Sequence, residues 1–187
     1  MFNLYDTLPE TVLVNGKEYK INASFDNVIL MYEMLCDPDL DDVDKIAFGI
    51  EMFFIDVPEL PAMELKEIWE REFINLFQDS VEAVQLDIKG NPMPKKKEEQ
   101  ERLMSLKQDA AYIYSSFMQQ YKIDLFEEQG KMHWYKFKAL LDGLDDNTKL
   151  KKVIEIRRAE LPKGAKNQKA RKEMEKAKKF YALKEGD

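Results

Sequence analysis

The chain has 187 residues and a net charge of −7, with 44% hydrophobic and 35% charged residues. This composition supplies enough apolar mass for one domain with a core and excludes a disordered chain. No run approaches the roughly 18 apolar residues that cross a bilayer, and the first residues lack the pattern of a secretory signal, so we expect a soluble, cytoplasmic protein with no membrane contact.

Two short β-prone runs open the chain. Thr11-Val12-Leu13-Val14 and Lys17-Glu18-Tyr19-Lys20-Ile21 flank Asn15-Gly16, and this dipeptide accepts the positive φ angles of a type I′ turn. We therefore predict a β-hairpin over residues 11–21. A two-stranded ribbon alone is marginal in water, so the hairpin should pack on helices or extend a neighbouring sheet.

Three amphipathic helices are predicted to follow the hairpin. Ser24 is placed to cap the first helix, Asp37-Pro38 ends it, and Pro61 suits the first turn of the third helix. Apolar residues recur at the helical period in each of the three. In chain order they are Phe25, Val28, Ile29, Tyr32 and Leu35; Val43, Ile46, Ala47, Ile50, Phe53 and Phe54; and Leu65, Ile68, Trp69, Phe73, Leu76 and Phe77.

Two features of this region are predicted to carry no chemistry. Cys36 lies in the apolar pattern of the first helix, so we expect a buried, unreactive thiol, and a single cysteine forms no internal disulfide. The run from Asp37 to Asp41 begins like a calcium loop. However, Asp42 stands where that loop needs glycine, and Phe48 stands where it needs a bidentate carboxylate. We therefore predict no calcium site.

The second half of the chain is predicted to begin with a flexible loop near residues 88–98, where Gly90, Pro92 and Pro94 precede a run of lysines. A helical pattern then starts at Glu98 and continues long enough to predict the longest helix of the fold. Its apolar positions are Leu103, Leu106, Ala110, Ile113, Phe117 and Tyr121.

Two shorter helices are predicted next. The first contains Trp134 and is interrupted at Gly143, and the second contains Leu150 and Val153. The side chains of residues 145–147, Asp-Asp-Asn, are placed to cap the second helix.

An aromatic block opens the first of these helices, at residues 133–137 with the letters HWYKF. Helical spacing places one set of side chains on a common side, which should be core. This set is Trp134, Phe137 and Leu141. A second set points elsewhere and offers better candidates for touching a partner. This set is Tyr135, Lys136 and Lys138.

The sequence contains few of the residue patterns that enzymes use for catalysis. There is no glycine-rich phosphate loop and no Cys/His spacing suited to zinc. His133 is the only imidazole; beside Trp134 at a helix start, it is typical of a hydrogen-bonded structural histidine, with a lone acid–base group as the alternative. Glu127 and Glu128 are adjacent in sequence, so they do not face each other on a helix. We predict no enzyme activity, no metal and no cofactor.

These patterns predict a helical domain over residues 1–162, opening with the hairpin, and a basic C-terminal helix over residues 163–187. The apolar stripe of the last helix is thin, so we expect it to be partly detached. Its lysines could bind a phosphate backbone. Glu173 and Glu175 within the run, together with the acidic overall charge, argue against a dedicated nucleic-acid binder.

Charge is distributed unevenly along the chain. Residues 1–90 hold 20 Asp and Glu against 6 Lys and Arg, whereas residues 91–187 hold 16 against 23. Such a distribution is typical of solvated helix faces, or of a protein that captures a partner of complementary charge, a second copy included. The sequence leaves both interpretations open.

Several segments resemble a bacteriophage protein family named for gene product fifteen. They cover most of the chain in the expected order, and the aromatic block lies in the strongest of them. The segments are residues 4–10 (LYDTLPE) with the Asn15-Gly16-Lys17 turn, 109–117 (DAAYIYSSF) continued by 119–125 (QQYKIDL), 133–144 (HWYKFKALLDGL) running into 152–158 (KVIEIRR), and 169–183.

This resemblance implies a protein encoded among the tail genes of long-tailed phages or prophages, near the tape-measure gene. It implies a tail assembly chaperone that holds the long, helical tape-measure protein until tail tube subunits polymerise around it. The tail tube protein is a further candidate partner, and we expect a homo-oligomer. Such a chaperone would act in the host cytoplasm and be absent from the mature virion.

The alternatives are a structural tail component retained in the virion and a nucleic-acid-binding protein that uses the basic C-terminal helix. For the chaperone, we predict partner contacts within the family-like block and on the helix after it. The predicted contacts are Tyr135, Lys136, Lys138, Lys152, Arg157 and Arg158.

Overall fold

A computed structural model describes residues 4–77, 103–162 and 168–184. Within these ranges the chain forms two strands and seven helices, which confirms the predicted mainly helical fold with a small N-terminal β-hairpin. The loop predicted near residues 88–98 lies outside the described residues. The elements are β1 (Thr11–Val14), β2 (Lys17–Lys20), α1 (Phe25–Cys36), α2 (Asp42–Phe53), α3 (Ala62–Phe77), α4 (Ala110–Tyr121), α5 (Trp134–Asp142), α6 (Lys149–Arg158) and α7 (Gln168–Tyr181).

The chain divides into two compact units, each built from two stretches of sequence. Unit 1 combines Met1–Lys96 with Glu128–Lys138, and unit 2 combines Lys97–Glu127 with Ala139–Asp187. Helix α5 begins in unit 1 and ends in unit 2. The domain boundary predicted at residue 162 falls within unit 2, which contains both α6 and α7.

The hairpin of unit 1 folds as its turn residues predict. Asn15 and Gly16 adopt positive φ angles of 49° and 80°, as a type I′ turn requires. Val12 and Val14 are buried whereas Leu13 between them is exposed, the alternation of a strand with one face on a core.

The segment after β2 is joined by backbone hydrogen bonds to two other parts of unit 1. The Asn22 N–H donates to the Phe53 carbonyl oxygen at 2.8 Å, at the end of α2. The Trp134 N–H, at the start of α5, donates to the Ala23 carbonyl oxygen at 2.8 Å. This short segment therefore positions the end of α2 and the aromatic block of α5 within one unit.

A chain of aromatic rings fills the core of unit 1. Phe25 stacks on Phe137 with 4.7 Å between ring centroids, and Trp134 lies 5.7 Å from Phe137. Tyr32 continues the chain at 6.1 Å from Trp134, and burial raises the pKa of its hydroxyl to about 12. The predicted burial of Trp134 and Phe137 is confirmed, as is that of Leu141 in unit 2.

A glycine sets the spacing between α2 and α3. Gly49 lies so close to the indole of Trp69 that an added Cβ would be 2.2 Å from Cζ2 of that ring. Trp69 is buried, and its Nε1 has no hydrogen-bond partner among the described residues. The indole of Trp69 therefore packs closely on the α2 backbone while its N–H group stays without a hydrogen bond to the described residues.

This packing corrects two sequence predictions on α2. Val43 and Ala47 are exposed, because the helix turns Gly49, Ile50 and Phe53 inward instead. Gly49 leaves room for the indole of Trp69. Glycine does not count as a hydrophobic residue in the periodicity, so the pattern could not place Gly49 in the core.

The prediction of a buried thiol at Cys36 is also wrong. Cys36 is a free, exposed cysteine. It is the last residue of α1, whose buried positions are Phe25, Val28 and Met31, so the thiol lies beyond the inward-facing stripe.

The long helix predicted from Glu98 is shorter than expected in its described part. Residues 103–109 are not helical, α4 begins only at Ala110, and α3 is the longest described helix. The Asp109 carboxylate accepts the Ser105 N–H at 3.0 Å, and Ser105 Oγ accepts the Gln108 N–H at 3.2 Å. Side chains thus take backbone donors that a helix would pair with carbonyl oxygens.

Ser116 of α4 organises the start of α6 in unit 2. Its hydroxyl donates to the Tyr112 carbonyl oxygen at 2.7 Å and accepts the Leu150 N–H at 3.0 Å. Leu150 lies in the first turn of α6, where backbone N–H groups lack partners within the helix. The hydroxyl of Thr148, the N-cap, donates to the Asp145 carbonyl oxygen at 2.7 Å. Capping of α6 by the side chains of residues 145–147 was therefore a wrong prediction.

Candidate partner-binding surfaces

His133 fixes the start of α5 through both ring nitrogens. Its Nδ1 accepts the Tyr135 N–H at 3.1 Å, and its Nε2 lies 3.0 Å from the Pro9 carbonyl oxygen. This arrangement fits a neutral imidazole that carries its proton on Nε2 and donates it to Pro9. Burial is the main cause that lowers the pKa of His133; Lys136 lowers it further, while Pro9 and Glu10 act in the opposite direction. The predicted hydrogen bonding of His133 is confirmed.

The predicted contacts on α5 lie outside the aromatic core of unit 1. Lys136 is exposed, whereas Tyr135 and Lys138 are half-buried. The Tyr135 ring also lies 5.1 Å from the His133 ring, between centroids. Lys136 therefore offers the most accessible side chain of the three, and contact of this group with a partner stays a prediction.

The outward side of α2 carries exposed apolar side chains in unit 1. We name it the α2 face and define it by Val43, Asp44, Ala47, Phe48 and Glu51, all of which are exposed. Val43 is 73% exposed and Phe48 is 43% exposed. Residues 43 and 47, and residues 44 and 48, are one helical turn apart, so apolar and acidic side chains share one surface.

Asp41 fixes where the α2 face begins. Its carboxylate accepts the N–H groups of Val43 and Asp44, each at 2.9 Å, and so caps the first turn of the helix. Carboxylates in this turn also interact favourably with the positive end of the helix dipole. The exposed Val43 is therefore held on a well-formed helix end.

Arg157 was predicted to touch a partner, but the structure places it inside unit 2. It is 8% exposed, and its guanidinium forms a bidentate pair with Asp109, with Nη1 at 2.6 Å from Oδ2 and Nη2 at 2.7 Å from Oδ1. Nη1 also donates to the Leu103 carbonyl oxygen at 2.8 Å. Because Nη1 and Nη2 are satisfied within the unit, Arg157 is not part of the surface that carries the function proposed below.

Helices α6 and α7 give unit 2 a basic exterior. Lys152 and Arg158 are both exposed on α6, as predicted contacts should be. None of the α7 side chains, all of which the structure describes, is buried. Arg171 pairs with Glu175 at 2.9 Å. The exposed cations of α7 are Lys169, Arg171, Lys172, Lys176 and Lys179.

A family model described as bacteriophage Gp15 protein matches residues 4–183. The chain belongs to this family. The predicted resemblance is thereby confirmed, and the chain is a phage protein. No curated protein and no solved structure matches it.

The Gp15 match spans every residue singled out above, including the α2 face, His133 and the Asp109–Arg157 pair. In the described part of this Gp15 family member, no group of three or more His, Cys, Asp or Glu side chains could hold a metal ion. Across those same residues, no helix has the length and apolar character needed to cross a membrane.

Sequence reasoning missed two arrangements in this Gp15 family member. Asp109 and Arg157 are 48 residues apart, and a single sequence gives no signal that pairs them. The α2 face has a local signal, since Val43, Ala47 and Phe48 sit among acidic residues, but periodicity assigned two of the three to the core.

Proposed function

We propose that this phage protein is a tail assembly chaperone that binds the tape-measure protein and keeps it soluble in the host cytoplasm while the tail tube assembles. The observation that carries the proposal is the α2 face. Its Val43 and Phe48 stay exposed on a well-capped helix, although the same unit has a filled aromatic core. Val43, Ala47 and Phe48 are spread over about 140° of one side of the helix, and apolar side chains grouped in this way offer a surface on which another chain can pack.

The chemistry of the α2 face suits an amphipathic helix as the ligand. Before the tube covers it, a tape-measure chain presents long helical stripes of apolar residues. Packing such a stripe on Val43 and Phe48 would stabilise the complex by about 1.5–3 kcal/mol for each side chain fully buried. Asp44 and Glu51 border the apolar residues and favour a stripe flanked by lysine or arginine.

The apolar surface continues directly past the end of α2 along the chain. Ile55 and Val57 are exposed by 60% and 43%. The Ile55 N–H donates to the Lys20 carbonyl oxygen at 3.0 Å, so the backbone of this segment is held against the end of the hairpin. These two residues therefore add exposed apolar side chains beside backbone that the hairpin holds in place.

Co-expression with the tape-measure protein of the same phage tests the proposal. The wild-type chain should raise the soluble fraction of the tape-measure protein and co-purify with it. The double variant Val43→Ser/Phe48→Ser should lose most of this effect, because it removes the apolar part of the α2 face and leaves the core intact. Thermal unfolding of the purified variant checks that the fold is retained.

A matched control comes from α3. Met63 and Ile74 are exposed by 70% and 50%, but eleven positions separate them, which is about 16 Å along a helix. The variant Met63→Ser/Ile74→Ser removes similar exposed apolar area and should keep full chaperone effect. The proposal fails if the wild-type chain neither co-purifies with the tape-measure protein nor changes its solubility. The assignment to the α2 face fails if both double variants behave alike.

The family is equally compatible with an alternative function, that of a structural tail component retained in the virion. Mass spectrometry of purified virions separates the two, since a structural component is present in stoichiometric copies. A chaperone should be scarce or missing there.

Nucleic-acid binding is the second candidate function, and the exposed cations of α7 favour it. It predicts retention on DNA that falls steeply with salt, because each neutralised phosphate releases counterions. The chaperone proposal predicts only weak retention on DNA. It also predicts that charge reversal at Lys172 and Lys176 leaves the solubility of the tape-measure protein unchanged.

A further inference from the structure

The last described residues of the chain are held in unit 2 by contacts to their backbone. The side-chain amide of Gln108 donates to the Lys184 carbonyl oxygen at 3.0 Å and accepts the Lys184 N–H at 2.8 Å. Arg157 Nε donates to the Tyr181 carbonyl oxygen at 2.6 Å. Backbone groups are common to all residues, so these bonds fix the path of a bound segment whatever its sequence.

Tyr181 adds recognition of a particular side chain. Its ring meets the Tyr112 ring edge-on, with 6.0 Å between centroids. The Lys149 ammonium lies 4.8 Å from the Tyr181 centroid and 5.5 Å from the Tyr112 centroid, and it donates to the Tyr181 hydroxyl at 2.8 Å. A cation held between two rings and bonded to a hydroxyl selects tyrosine over aliphatic residues.

The receiving residues are fixed by unit 2 itself. Arg157 is oriented by its two bonds to Asp109, which is 1% exposed, and by the Leu103 carbonyl oxygen. These bonds use Nη1 and Nη2 and aim Nε at the bound segment. The site is therefore preorganised, which lowers the entropy cost of binding.

Helix α7, which carries the segment, contributes little to the core. Its best-covered positions, Met174, Ala177, Lys178 and Tyr181, are only half-buried. An open cleft of about 280 Å³ remains beside the segment, with Gln108, Tyr112 and Arg157 in its lining. The segment is thus bound to unit 2 as a ligand is, by a few directed contacts over a partly open surface.

We propose that Gln108, Tyr112, Lys149 and Arg157 form a peptide-binding site, here named the tail cleft, whose ligand is residues 181–184 of a second copy of this chain as well as of its own. The same hydrogen bonds and ring contacts can form when the segment comes from another copy, because each of them joins a cleft group to a segment group. Exchange of such a segment links copies without requiring any new interface. This inference uses no residue of the α2 face and stands apart from the proposed function.

Two full-length variants separate cleft from segment. Tyr181→Ala weakens the segment and keeps the cleft, whereas Gln108→Ala/Lys149→Ala weakens the cleft and keeps the segment. Both leave the buried Asp109–Arg157 pair in place. Light scattering should give the equimolar mixture a larger mass than either variant alone, because one supplies the cleft and the other supplies the segment. A mixture whose mass is the average of the two at every concentration overturns the proposal.

A labelled peptide of residues 168–184 provides a second measurement. Fluorescence anisotropy should detect its binding to the Tyr181→Ala variant. Substituting tyrosine 181 of the peptide by alanine should weaken binding at least about tenfold. A matched peptide with Lys172→Ala should bind as well as the original, because Lys172 faces solvent. Weaker binding of the Lys172→Ala peptide, with no loss for the Tyr181→Ala peptide, would mean attraction by net charge alone and would overturn the proposal, as would unchanged binding to Gln108→Ala/Lys149→Ala.

Discussion

At the scale of single residues, His133 makes unit 1 sensitive to acid. The fold holds the imidazole in its neutral form, because burial lowers its pKa below the ordinary value of 6.5 and Nδ1 already accepts the Tyr135 N–H. The unfolded chain therefore takes up a proton at higher pH than the folded chain does. The contribution of neutral His133 to the free energy of unfolding is fully present above pH 6.5. It is lost as the pH falls from 6.5 through the lower pKa of the folded state.

Urea unfolding at two pH values checks this expectation. The wild-type free energy of unfolding should be smaller at about pH 5.5 than at about pH 7.5, and His133→Gln should reduce that difference because glutamine does not titrate. If the substitution leaves the pH dependence unchanged, His133 is not its source.

The buried pair in unit 2 gives a second prediction at this scale. Arg157→Met leaves the Asp109 carboxylate buried without its partner and should cost about 3–5 kcal/mol in the free energy of unfolding. Adding Asp109→Leu removes the unpaired charge, so the double variant should cost less than the sum of the two single changes. Arg158→Met, at an exposed neighbour, should change stability by no more than about 0.5 kcal/mol. Additive losses in chemical denaturation would contradict the pairing.

At the scale of elements, the packing of α2 on α3 depends on Gly49. Gly49→Ala places a methyl group 2.2 Å from the Trp69 ring, so the helices must separate or the indole must move. We expect a loss of about 1–3 kcal/mol, typical of overpacking a filled core. The matched change Ala47→Ser on the exposed side of the same helix should be nearly neutral. Equal stability of the two variants in thermal unfolding would remove this role of Gly49.

The elements also show which features the sequence could predict. The hairpin, the end of α1 and the start of α3 follow from local chemistry at Asn15-Gly16, Asp37-Pro38 and Pro61, and all three were predicted. The start of α4 was predicted wrongly, because it depends on Asp109. A carboxylate that binds residues four and 48 positions away takes its role from the folded chain.

The candidate surfaces divide in the same way. Helical spacing correctly placed Tyr135, Lys136 and Lys138 away from the side of α5 that holds Trp134 and Phe137, because that periodicity is local. It could not show that Arg157 is buried while its neighbour Arg158 is exposed, since burial depends on what the other helices of unit 2 supply.

At the scale of the whole molecule, the two units differ in charge. Unit 1 contains 21 Asp and Glu against 11 Lys and Arg, and unit 2 contains 15 against 18. If opposite charges on different copies attract, the solution mass should fall as salt rises from about 0.05 to 0.5 M, because screening shortens the range of the attraction. A mass that stays constant over this range, measured by light scattering, rules out charge pairing between copies.

Hydrogen–deuterium exchange with and without a tape-measure fragment tests the central claim, that the α2 face binds the tape-measure protein, most directly. Backbone amides of α2 should exchange more slowly in the complex, because a partner helix packed on the exposed side raises the free energy of local opening. Amides of α7 should keep their rates. Slower exchange confined to α7, with α2 unchanged, would contradict the account.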